Sequence, residues 1–207
     1  MYHGYVDALA RPFWLVVRIL NQSCASLAGT RTAIDADLRV WMGAMEGCSK
    51  SSVYRRAEFR TLFLYRMSKG RRIGFLLSRV IQALVGHERT LSITCPDLGP
   101  GLFVQHGTST YITPLRMGEN CWVNQDVTVG WSADGPPISI GDNVRIGAGA
   151  KVLGPISVGD GAQIGANAVV IRDVPPGMKV WGVPTHHYGD HKIWWEQVRS
   201  RTDSAKG

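Results

Sequence analysis

The chain has 207 residues, 44% of them hydrophobic and 19% charged, with 23 Lys/Arg against 16 Asp/Glu. That composition excludes a disordered or fibrous chain and suits one principal domain with an extension. The net charge of +7 is unevenly spread: residues 50–90 hold ten Lys/Arg and two Glu, a local +8, and the remainder is close to neutral.

Residues 1–30 contain an apolar run, Pro12 to Leu20, broken by Arg18 and preceded by Asp7. It is too short to span a bilayer, which needs about 20 residues, and it lacks the basic start of a signal peptide. A short amphipathic helix is expected there, and a second helix around Ala33 to Met45. Over 55–86 the pattern is helical. Phe59, Leu62, Phe63 and Met67 form one stripe, and Ile73, Leu76, Leu77, Val80, Ile81 and Leu84 form another, expected to be buried. Gly70 separates these two helices, and Gly86 suits a C-terminal cap. The Lys/Arg cluster falls on this region. It reads as a solvated helix face, as a peripheral contact with anionic headgroups at the inner face of a membrane, or as an attractor of a polyanionic ligand. No nucleic-acid recognition motif accompanies it, so no nucleic-acid partner is expected.

From Leu98 to Pro184 the period changes to six. Ile140, Ile146, Val152, Val158, Ile164 and Val170 recur at that step. Val144, Ala150, Ile156, Ala162, Ala168 and Val174 recur four places on, and Gly141, Gly147, Gly159 and Gly165 follow the first set directly. Upstream, Met117, Val123 and Val129 keep the step, Leu98 and Val104 begin it, and one extra residue precedes Tyr111. A helix needs spacing near 3.6 and an ordinary strand a spacing of two, so a six-residue period with Gly at the bends predicts a parallel β-helix of about four coils. One coil cannot bury its aliphatic positions alone, but a stack of coils can. Trp131 to Ser139 interrupts the count, because Val129 to Ile140 is eleven residues. The expected organisation is a helical region over 1–90, the repeat domain over 91–184, and a short helix and tail over 185–207.

The stretches "IGDNVRIGAGAKVLGPISVGDGAQIGANAVVIRDVPPGMKVWGVP" and "LGPGLFVQHGTSTYITPLRMGENCWVNQDVTVG" resemble the left-handed parallel β-helix acyltransferases of the hexapeptide-repeat superfamily. Within it they are similar to the serine acetyltransferase-like branch, which includes O-acetyltransferases of capsule and exopolysaccharide synthesis. The resemblance implies direct acetyl transfer from acetyl-CoA to a hydroxyl, in a homotrimer whose active sites lie between subunits. It makes His106, in "VQHG", the general base. An imidazole can take a hydroxyl proton at neutral pH and return it to a departing thiolate, while the tetrahedral oxyanion needs a positioned N–H donor. Gln125, Asp126 and Asp97 are alternatives for orienting His106. Gln105, Tyr111, Gln125, Asp126 and Trp131 are candidate acceptor contacts, with Trp122 a further stacking candidate. For acetyl-CoA the resemblance points to the small residues Ala148, Gly149, Gly165 and Ala166, to Gly182 in "WGVP", and to Lys151, Arg172 and Lys179 as phosphate partners.

Two departures from serine acetyltransferases bear on the acceptor. The residue before the catalytic His is the neutral Gln105 where those enzymes carry an Asp, and Gly135-Pro136-Pro137-Ile138 replaces a stretch bearing Arg and His. Both remove groups suited to a zwitterion, so a saccharide hydroxyl is the expected acceptor, with serine the alternative. A non-catalytic scaffold and a γ-type carbonic anhydrase are further alternatives on this fold, and the latter needs three His where the β-helix has one. The tail's His187 and His191 have a metal-binding spacing, but Gly189 intervenes and no third ligand is evident, so no metal is expected. No P-loop or GxGxxG is present. Cys24, Cys48, Cys95 and Cys121 share no CxxC or finger spacing, so reduced thiols and a cytoplasmic location are expected.

Overall fold

The computed structural model describes residues 25–26, 29–130 and 137–182. The expected helices of the first thirty residues and of the tail, together with Trp131, His187 and His191, lie outside the described residues. The chain divides at Arg89/Thr90 into two compact units.

The first unit contains four described helices: α1 (Arg31–Ala44), α2 (Lys50–Arg55), α3 (Ala57–Lys69) and α4 (Arg72–Val85). Helix α1 buries Ile34, Asp37, Leu38 and Trp41, one face at i, i+3, i+4 and i+7. Ser49 caps α2 by accepting from the Ser52 amide at 3.3 Å. Helix α3 buries the expected Phe59, Leu62, Phe63 and Met67. Trp41 and Tyr54 meet the Phe59 ring edge-on at 5.3 and 5.2 Å, a favoured aromatic geometry. Asp37 and Arg66 are joined through two hydrogen bonds, Nε to Oδ2 at 2.9 Å and Nη2 to Oδ1 at 3.1 Å. The pair is buried, so removing either partner would strand a charge.

Helix α4 departs from expectation. Its buried residues are Gly74 and Ser78, whereas Ile73, Leu76 and Val80 are 47%, 64% and 57% exposed. Leu77 and Ile81 are half-buried, and the side chain of Leu84 is outside the described ones. The small residues let α3 and α4 pack closely, and at 100° per residue the apolar stripe sits roughly 140° around the helix from them. Gly86 closes the helix with φ 68°, in the left-handed region that suits a glycine. Among the described residues no helix is long and apolar enough to cross a membrane.

The second unit is a parallel β-helix with three walls. The first wall stacks Leu91–Ile93, Thr110–Ile112, Thr128–Gly130, Lys151–Leu153 and Val169–Val170. The second stacks Asp97–Leu98, Arg116–Met117, Ser139–Ile140 and Ser157–Val158. The third stacks Phe103–Val104, Trp122–Val123, Arg145–Ile146, Gln163–Ile164 and Lys179–Val180. The chain visits the walls in turn, so each strand pairs with the strand one coil away, as in Val104↔Val123↔Ile146↔Ile164↔Val180. The six-residue aliphatic positions point inward and are buried, except Leu98 at the start of the series, which is half-buried. Gly118 shows why glycine stands at a bend: a Cβ there would lie 2.7 Å from the Gly141 backbone of the next coil.

The walls also locate the irregularities. From third to first wall the usual stride is six residues, as in Val123 to Val129 and Ile146 to Val152, but Val104 to Ile112 takes eight. The first corner therefore holds two surplus residues where the repeat pattern suggests one, because the six-residue count lands on Thr110 while the rung itself is made by Ile112.

Candidate active site

The surplus residues lie in the corner that carries His106. The imidazole is exposed, and its backbone adopts φ 64°, a conformation uncommon for residues other than glycine. The corner is tied at its far end. The His106 carbonyl accepts from the Thr108 amide, the Thr108 carbonyl accepts from the Asp126 amide at 2.9 Å, and the Ser109 amide donates to Thr90 Oγ1 at 3.0 Å. Asp126 and Gln125 thus belong to the adjoining corner one coil on. Asp97 lies on the second wall, where its carboxylate faces Arg116 at 3.6 Å.

Immediately before His106, Gln105 begins a groove of about 420 Å³ along the third wall. Two outward-facing rows make its lining. One is Trp122, Arg145, Gln163 and Lys179, consecutive rungs in register. The other is Gln105, Asn124, Gly147, Gly165 and Trp181, each one residue beyond an inward aliphatic. Amides of this second row donate to carbonyls of the next coil: Gln105 to Val123 at 2.8 Å, Asn124 to Ile146 at 3.1 Å, Gly147 to Ile164 at 2.8 Å. A Cβ at Gly147 would stand 2.6 Å from the Ala166 nitrogen, so the floor there is bare backbone between closely stacked coils.

The groove's polar groups are arranged by Trp122. Its Nε1 donates to Asn124 Oδ1 at 2.8 Å and to Gln105 Oε1 at 3.2 Å. The Arg145 guanidinium lies 5.4 Å from its ring centroid and Phe103 meets it edge-on at 4.5 Å. With its Oε1 accepting from the indole, Gln105 keeps its amide N–H groups as donors for a ligand. Arg145 and Lys179 are the charged groups of the lining, which contains no carboxylate among the described residues. Such a surface suits an anionic ligand with a long flexible arm.

The groove brings together Gln105, Gly165, Ala166 and Lys179 from the expected site. Ala148, Gly149, Gln125 and Asp126 fall instead on the corner column between third and first walls, beside His106's own corner; the Gly149 amide donates to the Gln125 carbonyl at 3.0 Å and the Asn167 amide to the Ala148 carbonyl at 2.8 Å. Gly182, with φ 99°, continues that column, its carbonyl accepting from the Val169 amide. Lys151 is engaged there: its Nζ donates to the Asp126 carbonyl at 2.6 Å and to Thr128 Oγ1 at 3.2 Å. Tyr111 is half exposed on the first wall, and Arg172 is exposed beyond a first-wall strand; neither lines the groove. Asn124, Arg145 and Gln163 are groove residues that motif reasoning passed over. Their signal is positional, since each stands directly before or after an inward residue of the third wall. Among the described residues no cluster of three or more His, Cys, Asp or Glu could hold a metal.

Residues 137–172 match the model of the bacterial transferase hexapeptide, six repeats. A serine acetyltransferase of Staphylococcus xylosus is 42% identical over 128 residues, 59% of this chain and 57% of the relative. That of Synechococcus elongatus is 42% identical over 92 residues, 42% of this chain and 37% of the relative. The chain thus spans between about a third and three-fifths of these relatives' length. Among solved structures, the serine acetyltransferase of Neisseria gonorrhoeae in complex with serine superposes with a TM-score of 0.63 at 29% identity, covering 80% of this chain and 72% of that one.

These findings overturn the expectation of a saccharide acceptor in favour of serine. The expectation weighed the neutral Gln105 and the uncharged Gly135-Pro136-Pro137-Ile138 stretch. The structure shows that a neutral Gln105, its Oε1 held by the Trp122 indole, still offers N–H donors to a carboxylate. The chain thus carries the hexapeptide repeat on a three-walled parallel β-helix and is similar in sequence and fold to serine acetyltransferases.

Proposed function

We propose that the protein is an acetyl-CoA-dependent O-acetyltransferase whose acceptor is the hydroxyl of serine. The observation that carries the reading is the acid-free groove that starts at Gln105, next to His106, and runs along the third wall past Arg145 to Lys179 and Trp181. The names of the matching relatives support it. The pantetheine arm would lie along the bare floor at Gly147 and Gly165, with Arg145 and Lys179 meeting its phosphates. Five rungs at about 4.8 Å give the wall a span of about 19 Å, suited to an extended arm.

In this mechanism the His106 imidazole accepts the proton of the seryl hydroxyl as the oxygen attacks the thioester carbonyl carbon. The tetrahedral oxyanion collapses, the C–S bond breaks, and the proton passes to the leaving thiolate. The products are O-acetylserine and free coenzyme A. The resemblance implies a homotrimer with the site between two copies, which accords with an exposed His106 that makes no side-chain hydrogen bond among the described residues.

The test is a thiol-release assay with acetyl-CoA and L-serine on wild type and His106→Ala. Turnover should fall by about 10²- to 10⁴-fold in the variant with an unchanged melting curve. Turnover on serine that His106→Ala leaves intact, or acetyl-CoA binding by calorimetry without turnover on serine, would overturn the assignment.

A further inference from the structure

The exposed face of α4 is built for a surface that is both apolar and negatively charged. Ile73, Leu76 and Val80 form one exposed stripe along the helix, and Phe75 is 52% exposed as well. At 100° per residue, Arg72 and Arg79 border the stripe on one side, and Arg71 precedes the helix. All three arginines are exposed, and none pairs with a carboxylate among the described residues. A 14-residue helix is too short to cross a bilayer, but a helix of this pattern can lie in the plane of the interface, side chains down and guanidinium groups at headgroup level.

We propose that α4 docks the protein on an anionic lipid surface, independently of the reaction assigned above. Charge complementarity selects the occupant. A second copy of the same face would bring the same unneutralised arginines into contact, which opposes self-association. Neither end of the chain supplies the missing negative charge: residues 1–24 hold Asp7 against Arg11 and Arg18, and residues 183–207 hold Asp190, Glu196 and Asp203 against Lys192, Arg199, Arg201 and Lys206. Residues 50–90 as a whole carry a surplus of eight positive charges. Anionic headgroups over an acyl region satisfy both halves of the surface, since each Lys or Arg near such a surface adds to binding and the apolar stripe anchors it.

The experiment is sedimentation of the full chain with vesicles of phosphatidylcholine alone or mixed with phosphatidylglycerol, at low and high salt, with light scattering alongside. The expected result is binding to the mixed vesicles alone, weakened by salt. It should drop roughly tenfold or more in Arg71→Glu/Arg72→Glu and similarly in Leu76→Ser/Val80→Ser, while Arg71→Lys/Arg72→Lys retains it. Equal binding to neutral vesicles, or no binding to either, would overturn the proposal. So would a smaller assembly for Leu76→Ser/Val80→Ser in lipid-free solution, which would place a second copy on the face.

Discussion

The β-helix and α4 solve the same problem in opposite ways. In the β-helix the aliphatic residues at the six-residue positions from Val104 onward face a closed interior, and neighbouring coils complete their burial. In α4 the packed side is made of Gly74 and Ser78, and the larger apolar residues face outward. Closure makes the difference. A coil that returns on itself every three strands has one inside, so an apolar position has one place to go. A lone helix has as many sides as it has neighbours, and close packing through small residues can take precedence over burial of large ones.

Matched substitutions in the two regions should separate the two cases. After the loss of turnover expected for His106→Ala, the largest effect should come from Ile140→Ala, which opens a cavity in the closed interior. A loss of about 3 kcal/mol is expected in chemical denaturation. Leu76→Ala removes a similar side chain from α4 and should shift stability by no more than about 0.5 kcal/mol. Equal losses would mean that α4 is buried after all.

Cys121 sharpens the contrast through pH. Burial, the main cause, pushes its thiol up from 9.0 to about 12. The unfolded chain gives up this proton near pH 9 and the folded one only near pH 12. Unfolding therefore releases a proton between these values, and rising pH favours the unfolded state. Below pH 9 the contribution is constant. The melting temperature should fall from pH 9 to pH 12, less steeply in Cys121→Val; identical slopes would show that the thiol does not contribute. A modest effect is expected on the outer surface of the β-helix. Lys179→Ala should raise KM for acetyl-CoA roughly threefold to tenfold with little change in kcat, and added salt should narrow the gap.

The sequence made the inward residues of the coils legible because period and closure act together. The outward rows were less legible. A six-residue period says that Trp122, Arg145, Gln163 and Lys179 point outward, but their assembly into one groove depends on which rungs align, and the two surplus residues before Ile112 and the long step from Val129 to Ile140 shift that alignment. The acceptor was misjudged for a related reason, since Gln105 was read by its lack of charge, and the Trp122 indole one rung away, which turns its N–H donors outward, is not its neighbour in sequence. For α4 the pattern identified a common face but carried no information about its neighbours.

The two surplus residues of the first corner separate two adjustments that most active sites must make together. The third wall reaches His106 through Gln105, whose amide is fastened to the Val123 carbonyl, and the far end of the corner is fastened by Thr90 and Asp126. Between these moorings the length of the span sets how far the imidazole projects, while every rung of the groove keeps its place. Lengthening or shortening that span by one residue would move the imidazole toward or away from the groove without displacing the groove's rungs. Under the proposed function, reach and grip become separately adjustable: the length of the corner sets the first, and the rungs of the third wall set the second.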